Sequence, residues 1–418
     1  MVAYRRMTAR AGAELLITGF GCISGLGIGA NAFEEALFEG RSALRPTPVA
    51  DAHGNHQRVA ACIDQFVAED FIAPGKLRRI DRVGRLAIAA CRLALADAGL
   101  VPGAAGGGAD IGVALGTSTS GLHTLIDYLD RLNAGGPAGA SAMDFSNTVG
   151  NASASLCGIE FGLQGINVTL SQKEASAFCA ISHAASALEN GAARAIVTGG
   201  VDDFESLYFQ VHDRFNVLAR DRGNGEASRP FDRRRNGFVL GSGAFLMVVE
   251  RAETAAARGA VARGSLAAIT ATSSRCDIHD WSDDPSQLIR CMREALDRAG
   301  ASPADVAVVF ASANSSRQLD RTEARALEAV FGPGGVPVVA LKGALGEAGA
   351  TAAAAIMAAT QSLRRRLIPP TVGFGEADPE CRVDIRAATR PIAPDRPAIA
   401  LINSCASGGG NYTAIIRG

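Results

Sequence analysis

Apolar runs of strand length alternate with helical patterns along this chain, and the second half repeats the order of elements of the first. In the second half the strand-length runs lie at 265–271, 306–312, 337–341 and 398–403. Because strands that are joined through helices pair in parallel and are covered on both faces, the sequence predicts an α/β protein with a buried sheet. We expect a single unit over residues 1–418, built from two repeated strand–helix halves at about 14–252 and 264–418.

One strand–helix unit in the first half contains a sharp turn. Residues 166–170 are β-branched and apolar, which predicts a short buried strand. Apolar side chains then recur at helical spacing over 176–190, and Gly191 suits the end of that helix. A turn between a strand and a helix N-terminus is a place where enzymes present a nucleophile. This chain has Glu174 there, where the helix dipole stabilises a carboxylate by roughly 0.3–1 kcal/mol.

A glycine-rich stretch near the N-terminus is similar to a nucleotide-binding loop but lacks two of its features. Residues 14–18 predict a strand that ends at Gly19 and Gly21, and a helix is predicted at 32–39. Gly25 lies one place too far along for a dinucleotide fingerprint, and no acidic residue stands at a ribose-binding strand end. The sequence therefore predicts a strand-to-helix turn here.

The balance of charges and the spacing of the cysteines argue against several classes of function. The 41 Lys and Arg residues nearly balance the 42 Asp and Glu residues, so the chain lacks an electrostatic footprint for nucleic acid or an anionic membrane. Nine scattered cysteines form no C-x-x-C pair, which favours a reduced cytoplasmic protein over a zinc site or a disulfide framework. No apolar run reaches membrane-spanning length. We expect no metal, no cofactor, no nucleic acid and no membrane partner.

Several motifs of this chain resemble those of the β-ketoacyl synthases. They are the turn Gln172-Lys-Glu174, the loop Arg229-Pro-Phe-Asp232, the run Lys342-Gly-Ala-Leu-Gly346-Glu347 and the closing loop Asn403-Ser-Cys-Ala-Ser-Gly408-Gly-Gly-Asn411. The similarity extends from about Leu15 to Ile416. It implies the thiolase fold, in which two pseudo-repeated halves form one five-layered α-β-α-β-α body. For the loop at 229–243 we predict buried salt bridges, with an anion site as the alternative.

The resemblance also implies which positions would carry the chemistry. β-Ketoacyl synthases use a cysteine thiolate to hold the acyl chain and two histidines to stabilise the enolate that forms when malonyl loses carbon dioxide. At these positions the chain has Glu174 for the cysteine, Ser312 for the first histidine and Glu347 for the second. Three charged residues of the family motifs are retained, which are Lys342, Asp320 and Glu323.

None of the three replacements supplies the missing chemistry. Glu174 forms no useful acyl thioester, Ser312 offers one hydrogen bond, and an ionised Glu347 would oppose an enolate. Cys179 lies five residues beyond the turn, inside the helix, so we do not expect it to act as a nucleophile. The histidines fall at neither catalytic position and are expected at the surface or in packing; they are residues 53, 56, 123, 183, 212 and 279.

The former active site is expected to be a self-satisfied polar cluster. In this hypothesis Lys173 and Lys342 pair with Glu174 and Glu347. The closing loop has two small residues where the family has an aromatic gate, namely Cys405 and Ser407. Gating of an acyl chain at this site is therefore not expected.

With its three catalytic positions replaced, this chain resembles the chain-length factor of type II polyketide synthases. Such a subunit pairs with a catalytic ketosynthase, and together they form an acyl tunnel in which malonyl units from carrier protein extend the chain. The turn Gln172-Lys-Glu174 departs from the pattern of aromatic-polyketide factors, which favours a polyene or aryl-polyene pathway. Two alternatives stay open, a malonyl decarboxylase like the loading ketosynthases and a transferase with unconventional residues.

The resemblance places two further segments at the subunit interface. The strand before the turn would pair across the two-fold axis through Ile166, Asn167, Val168, Thr169 and Leu170. The predicted helix at 122–132 and the stretch 143–145 would border the acyl tunnel, with Thr119, His123, Thr124, Leu125, Tyr128, Leu129, Met143 and Phe145. Because an apolar strand with an open edge is a liability unless it is covered, we expect a heterodimer.

Overall fold

The computed structural model describes residues 14–50, 57–101 and 108–418. Its strands are β1 Leu15–Ser24, β2 Gly27–Ile28, β3 Leu44–Ala50, β4 Gln57–Ala61, β5 Ile111–Gly116, β6 Asn167–Leu170, β7 Ala195–Asp202, β8 Gly243–Arg251, β9 Gly264–Ser273, β10 Val308–Ala311, β11 Pro337–Ala340, β12 Leu367–Ile368, β13 Asp384–Ile385, β14 Arg390–Pro391, β15 Ile399–Cys405 and β16 Gly410–Arg417. Its α-helices are α1 Ala30–Phe38, α2 Pro74–Leu77, α3 Arg82–Asp97, α4 Leu122–Gly135, α5 Ala142–Phe145, α6 Ala152–Phe161, α7 Ser176–Glu189, α8 Ser206–Arg214, α9 Ala252–Ala257, α10 Ser286–Ala299, α11 Arg317–Phe331, α12 Lys342–Leu345 and α13 Thr351–Arg365.

Twelve strands of the described chain form one mixed sheet that consists of two parts. The strand order is β13-β11-β10-β15-β16-β9-β1-β8-β7-β5-β6, with β2 paired to β1. Strands of the first half of the chain therefore lie on one side of the β9–β1 junction, and strands of the second half lie on the other. At the junction only Leu15–Ile17 pair with Gly264–Leu266, so the two half-sheets meet at a short seam.

Helices cover both half-sheets and also fill the space between them. Phe178 of α7 and Ile356 of α13 are buried in one apolar core with strand residues of both halves. Leu86 of α3 belongs to a second core with β5, β7 and β8, and α10 and α11 form a third core with β10, β11 and β15. The resulting order of helix, sheet, helix, sheet and helix confirms the predicted thiolase fold.

The predicted turn at Gly19 and Gly21 is wrong, because β1 continues through both glycines to Ser24. α3 crosses β1 so closely that a Cβ atom on Gly21 would lie 1.9 Å from the carbonyl oxygen of Ala90. On Gly19 it would lie 2.4 Å from the carbonyl oxygen of Ala94. These glycines therefore permit close packing between strand and helix, and the chain turns back only after Ser24, where β2 pairs with β1.

The strand predicted at 166–170 is present as β6, but it is less buried than expected. It forms one edge of the large sheet and has β5 as its sheet neighbour. Asn167 is exposed, and Val168, Thr169 and Leu170 are only half-buried, because the other edge of the strand has no neighbour within the described chain. The interface that the sequence predicts for this strand stays a prediction.

Salt bridges fill the loop at 229–243, as its Arg and Asp content predicts. Asp232 is fully buried and accepts hydrogen bonds from Arg234 Nη2 and from the Gly375 amide, each at 2.8 Å. Burial alone would raise the pKa of Asp232, but these hydrogen bonds hold it well below its usual range. Arg235 pairs with Asp378. The arginines named here are therefore neutralised within the chain, which argues against the alternative anion site.

Several elements have no counterpart in the sequence patterns described above, among them the β3–β4 hairpin, the helix α8 and the last strand β16. Within the described ranges, no helix is long and apolar enough to cross a membrane. Two of the six histidines, at 53 and 56, lie outside the described residues.

Candidate functional site

The turn between β6 and α7 brings Glu174 against the closing loop of the chain. A single 3₁₀ turn, Lys173–Ala175, connects β6 to α7. The Glu174 carboxylate accepts hydrogen bonds from the Ser407 amide at 3.0 Å and from Ser407 Oγ at 3.2 Å. Ser407 stands where the resemblance places an aromatic gate residue, and its hydroxyl adds a second donor to the backbone amide that holds this carboxylate.

The predicted pair between Lys173 and Glu174 is not formed. Lys173 has a φ of 47°, in the left-handed region, and its ammonium group donates to the Ile278 carbonyl and to Ser407 Oγ, the latter at 3.2 Å. The lysine therefore ties the turn to the loops at 278 and 407 and leaves Glu174 bonded to Ser407.

The predicted pair between Lys342 and Glu347 is present and fully enclosed. Lys342 Nζ lies 2.9 Å from Glu347 Oε2, and Asn314 Nδ2 donates to the same oxygen at 2.7 Å. Burial raises the pKa of Glu347 to about 7, against the opposing effect of Lys342, and the charge of Glu174 adds to the rise. Burial and the charge of Glu174 thus favour the protonated carboxyl group, whereas the ion pair with Lys342 favours the carboxylate.

Ser312 lies at the end of β10 and acts as an acceptor. Its Oγ accepts from the Cys405 amide at 2.9 Å and lies 3.5 Å from Lys342 Nζ. Its amide donates to Glu323 Oε1 at 2.9 Å. The hydroxyl group that was expected to replace a histidine donor is thus bonded to the closing loop.

The retained acidic pair anchors the backbone that follows Ser312. Glu323 also accepts from Asn403 Nδ2 at 3.0 Å, which joins this loop to β15. Asp320 accepts from the amides of Asn314 at 3.0 Å and Phe231 at 2.7 Å. Burial raises the pKa of Asp320 to about 7 despite these hydrogen bonds. Both carboxyl groups are fully buried and position backbone groups.

His212 lies at this site, although the sequence predicts a surface or packing position for it. It belongs to α8, and its ring packs against the rings of Tyr208 and Phe238 at centroid distances of 4.2 and 5.8 Å. Its Nδ1 donates to the Tyr208 carbonyl at 2.8 Å. Burial lowers the pKa of His212. The four-residue spacing of Tyr208 and His212 on one helix face is the sequence signal that could have indicated this placement.

Glu174, Glu347, Tyr208 and His212 line one small cavity of about 20 Å³. A larger cavity of about 320 Å³ lies outside it and shares Glu174, Tyr208 and His212 with it. The sequence-predicted degenerate positions thus come together in space, directly for Glu174 and Glu347 and through Lys342 for Ser312. Cys179 is half-buried within α7, beside Tyr412, and does not line either cavity.

Apart from the buried Thr119, the predicted tunnel residues lie on the outside of the described chain. No residue of α4 is buried. Four apolar residues of α4 and α5 are exposed, namely Leu125, Leu129, Met143 and Phe145. The rings of Tyr128 and Phe145 are 6.0 Å apart. His123 Nε2 lies 3.7 Å from Asp127 Oδ2, and Thr124 is half-buried. Thr119 is buried, and its hydroxyl group donates a hydrogen bond to Asp202 Oδ1. Apart from Thr119, these residues do not line the cavities at Glu174.

The comparisons with known proteins agree on one family. The model of the β-ketoacyl synthase N-terminal domain matches residues 13–255, and that of the C-terminal domain matches residues 263–375. The tetracenomycin polyketide synthase ketoacyl synthase beta subunit of Streptomyces glaucescens is 31% identical over 412 residues, which cover 97% of this chain and 99% of the relative. The 3-oxoacyl-(acyl-carrier-protein) synthase 2 of Synechocystis sp. is 30% identical over 414 residues, which cover 97% and 98% of the two chains. Among solved structures, the ishigamide ketosynthase/chain length factor has a TM-score of 0.87 at 26% identity, with coverage of 97% and 99%.

Proposed function

The chain belongs to the β-ketoacyl synthase family, and from that premise we propose that it is the non-catalytic chain-length factor of a type II polyketide synthase. In this role it pairs with an active ketosynthase, and the two subunits together enclose the growing acyl chain. The departure of the Gln172-Lys-Glu174 turn from the aromatic pattern supports a polyene or aryl-polyene product.

One observation carries the proposal, which is the identity of the groups at the three predicted catalytic positions. Condensation needs a thiolate and two neutral donors aimed at the enolate. Glu174 is a carboxylate held by Ser407, Glu347 is paired with Lys342, and Ser312 Oγ accepts from a backbone amide. These hydrogen bonds engage all three groups within the chain, which supports a subunit without its own condensation activity.

The same geometry argues against the alternative activities. A malonyl decarboxylase must accept the malonyl carboxylate, and Glu174 with Glu347 would repel it. A transferase needs an activated nucleophile, and burial raises the pKa of the thiol of Cys405, whose amide bonds Ser312 Oγ, well above its usual range. We therefore place the chemistry on the partner subunit.

The partner is expected to cover the open edge of β6 and the exposed side of α4 and α5. In thiolase-fold dimers the strand that corresponds to β6 pairs with its counterpart across the two-fold axis. The ishigamide structure, which is a ketosynthase/chain length factor, supports pairing with a ketosynthase. We expect the heterodimer to bury more than about 2,000 Å², and carrier protein to reach this chain through the complex.

The test is reconstitution with the ketosynthase that a neighbouring reading frame encodes. We expect the purified chain alone to leave malonyl-loaded carrier protein unchanged and the co-expressed complex to elongate it. Replacing the partner's active-site cysteine by alanine should abolish elongation, whereas Glu174→Cys in this chain alone should not create it, since both donors would still be missing. Elongation or decarboxylation by the pure chain, or the absence of a stable complex, would overturn the proposal.

A further inference from the structure

Two adjoining cavities at Glu174 have the properties of a ligand site. The inner cavity has a volume of about 20 Å³ and the outer cavity a volume of about 320 Å³. Aromatic rings line the outer one, namely Tyr208, His212, Phe215, Phe238, His279 and Trp281. We propose that this site binds a primary amine, with the ammonium group between Glu174 and Glu347 and an apolar or aromatic body in the outer cavity. The site goes beyond the subunit role proposed above and does not depend on it.

An unpaired oxygen of Glu347 is the first observation that points to a ligand. The Glu347 side chain is 3% exposed and lines the inner cavity. Its Oε2 is occupied by Lys342 and Asn314, but its Oε1 has no hydrogen-bond partner within the described chain. A buried carboxylate oxygen without a donor is costly, so a ligand N–H that reaches it would recover free energy.

Glu174 and His212 provide two further acceptors on the same cavity. Glu174 bonds only Ser407 and forms no ion pair with Lys or Arg in the described part of the chain. His212 donates through Nδ1 to the Tyr208 carbonyl, and because burial lowers its pKa the neutral ring keeps Nε2 as an acceptor. An ammonium group has three N–H donors, which matches the number of these acceptors.

The other charged residues near the cavity already have partners. Asp202 accepts from the Thr119 amide and the Ala350 amide, and Asp203 pairs with Arg82. Glu205 caps α8 through the Tyr208 amide at 2.9 Å. These carboxylates add negative potential to the inner cavity. No Lys or Arg of the described residues lines this cavity. Lys173 lines the outer cavity, where its ammonium group already donates to Ile278 and Ser407.

The size of the inner cavity and the lack of a metal-binding cluster among the described residues favour an ammonium group over a metal ion. A cavity of about 20 Å³ holds one water-sized group, which is the size of an ammonium head. Among the residues described, no three His, Cys, Asp or Glu side chains are close enough together to hold a metal ion. In the outer cavity the rings of Phe215 and His279 are stacked with their centroids 5.0 Å apart, and Phe215 is 56% exposed. Aromatic faces attract cations as well as apolar groups.

Calorimetric titration of the protein with three ligands that share a phenylethyl group tests the proposal. Phenethylamine carries the ammonium group, phenethyl alcohol is neutral, and phenylpropionate is an anion. We expect the amine to bind at least about tenfold more tightly than the alcohol, and the anion to bind most weakly. In Glu174→Gln the affinity for the amine should fall about tenfold and the preference over the alcohol should be lost. The control Glu189→Gln removes an exposed carboxylate far from the cavity and should change neither value.

Three results would overturn the inference. Equal affinities for the amine and the alcohol would show a merely apolar pocket. No binding of the amine at millimolar concentration would show that the inner cavity holds water. Unchanged amine binding in Glu174→Gln would place the amine elsewhere. If Glu174→Gln does not fold, Phe215→Ala replaces it, because Phe215 is exposed and its removal should weaken amine binding without loss of the fold.

Discussion

The carboxyl groups of Glu347 and Asp320 are buried, and their hydrogen bonds and neighbouring cations only partly offset the cost of burying a carboxylate. Burial raises the pKa of each to about 7, although Lys342 opposes the rise at Glu347 and the Phe231 amide opposes it at Asp320. An unfolded chain releases these protons near the ordinary pKa, whereas the folded chain keeps them to higher pH. The stability that these groups contribute is therefore greatest in acid and is lost as the pH rises through about 7.

We therefore expect Glu347→Gln to make the stability of the protein less sensitive to pH. In the parent protein, each of the two groups lowers the free energy of unfolding by up to about 1.4 kcal/mol per pH unit between about pH 5 and pH 7. The variant should lose one of these contributions and keep that of Asp320. Urea unfolding across this interval measures the slope, and the exposed Glu189→Gln should leave it unchanged. A parent slope retained in Glu347→Gln would contradict the pKa argument.

At the scale of secondary-structure elements, the sequence predicted those whose periodicity comes from one buried face. The helix predicted over 176–190 is observed as Ser176–Glu189, because its apolar side chains recur at helical spacing and are buried. The glycines of β1 misled the prediction, because the same residue type permits either a turn or close packing. α8 was missed because it buries few residues, and His212 was missed with it.

The packing of α3 on β1 can be tested by adding a single methyl group. Gly21→Ala would place a Cβ atom 1.9 Å from the Ala90 carbonyl oxygen, so strand and helix must separate. We expect a loss of roughly 1–3 kcal/mol of unfolding free energy, which is typical of overpacking. Gly75→Ala in α2 is the matched control, since a Cβ atom there meets no atom within 4 Å. Equal midpoints of urea unfolding for the two variants would refute the packing role of Gly21.

At the scale of the whole molecule, one side of the first half is left without cover. The edge strand β6 has an open edge, and α4, which follows its neighbour β5 along the chain, has no buried residue. The exposed apolar residues Met143 and Phe145 lie beside it on α5. The resemblance to β-ketoacyl synthases predicts an interface on this side, and in the proposed heterodimer the partner would form the other wall of the tunnel.

The tunnel hypothesis predicts that the bulk on α4 sets the length of the product. A chain attached to the partner's cysteine would extend toward α4, where Tyr128 packs on Phe145 with ring centroids 6.0 Å apart. Removing the ring in Tyr128→Ala should lengthen the product and leave complex formation intact, whereas Tyr128→Phe should keep the parent product. Product analysis of reconstituted heterodimers, together with single alanine substitutions at Leu125 and Leu129, provides the measurement. If all three alanine variants assemble normally and give the parent chain-length distribution, α4 does not measure the chain and its exposed residues serve only the interface.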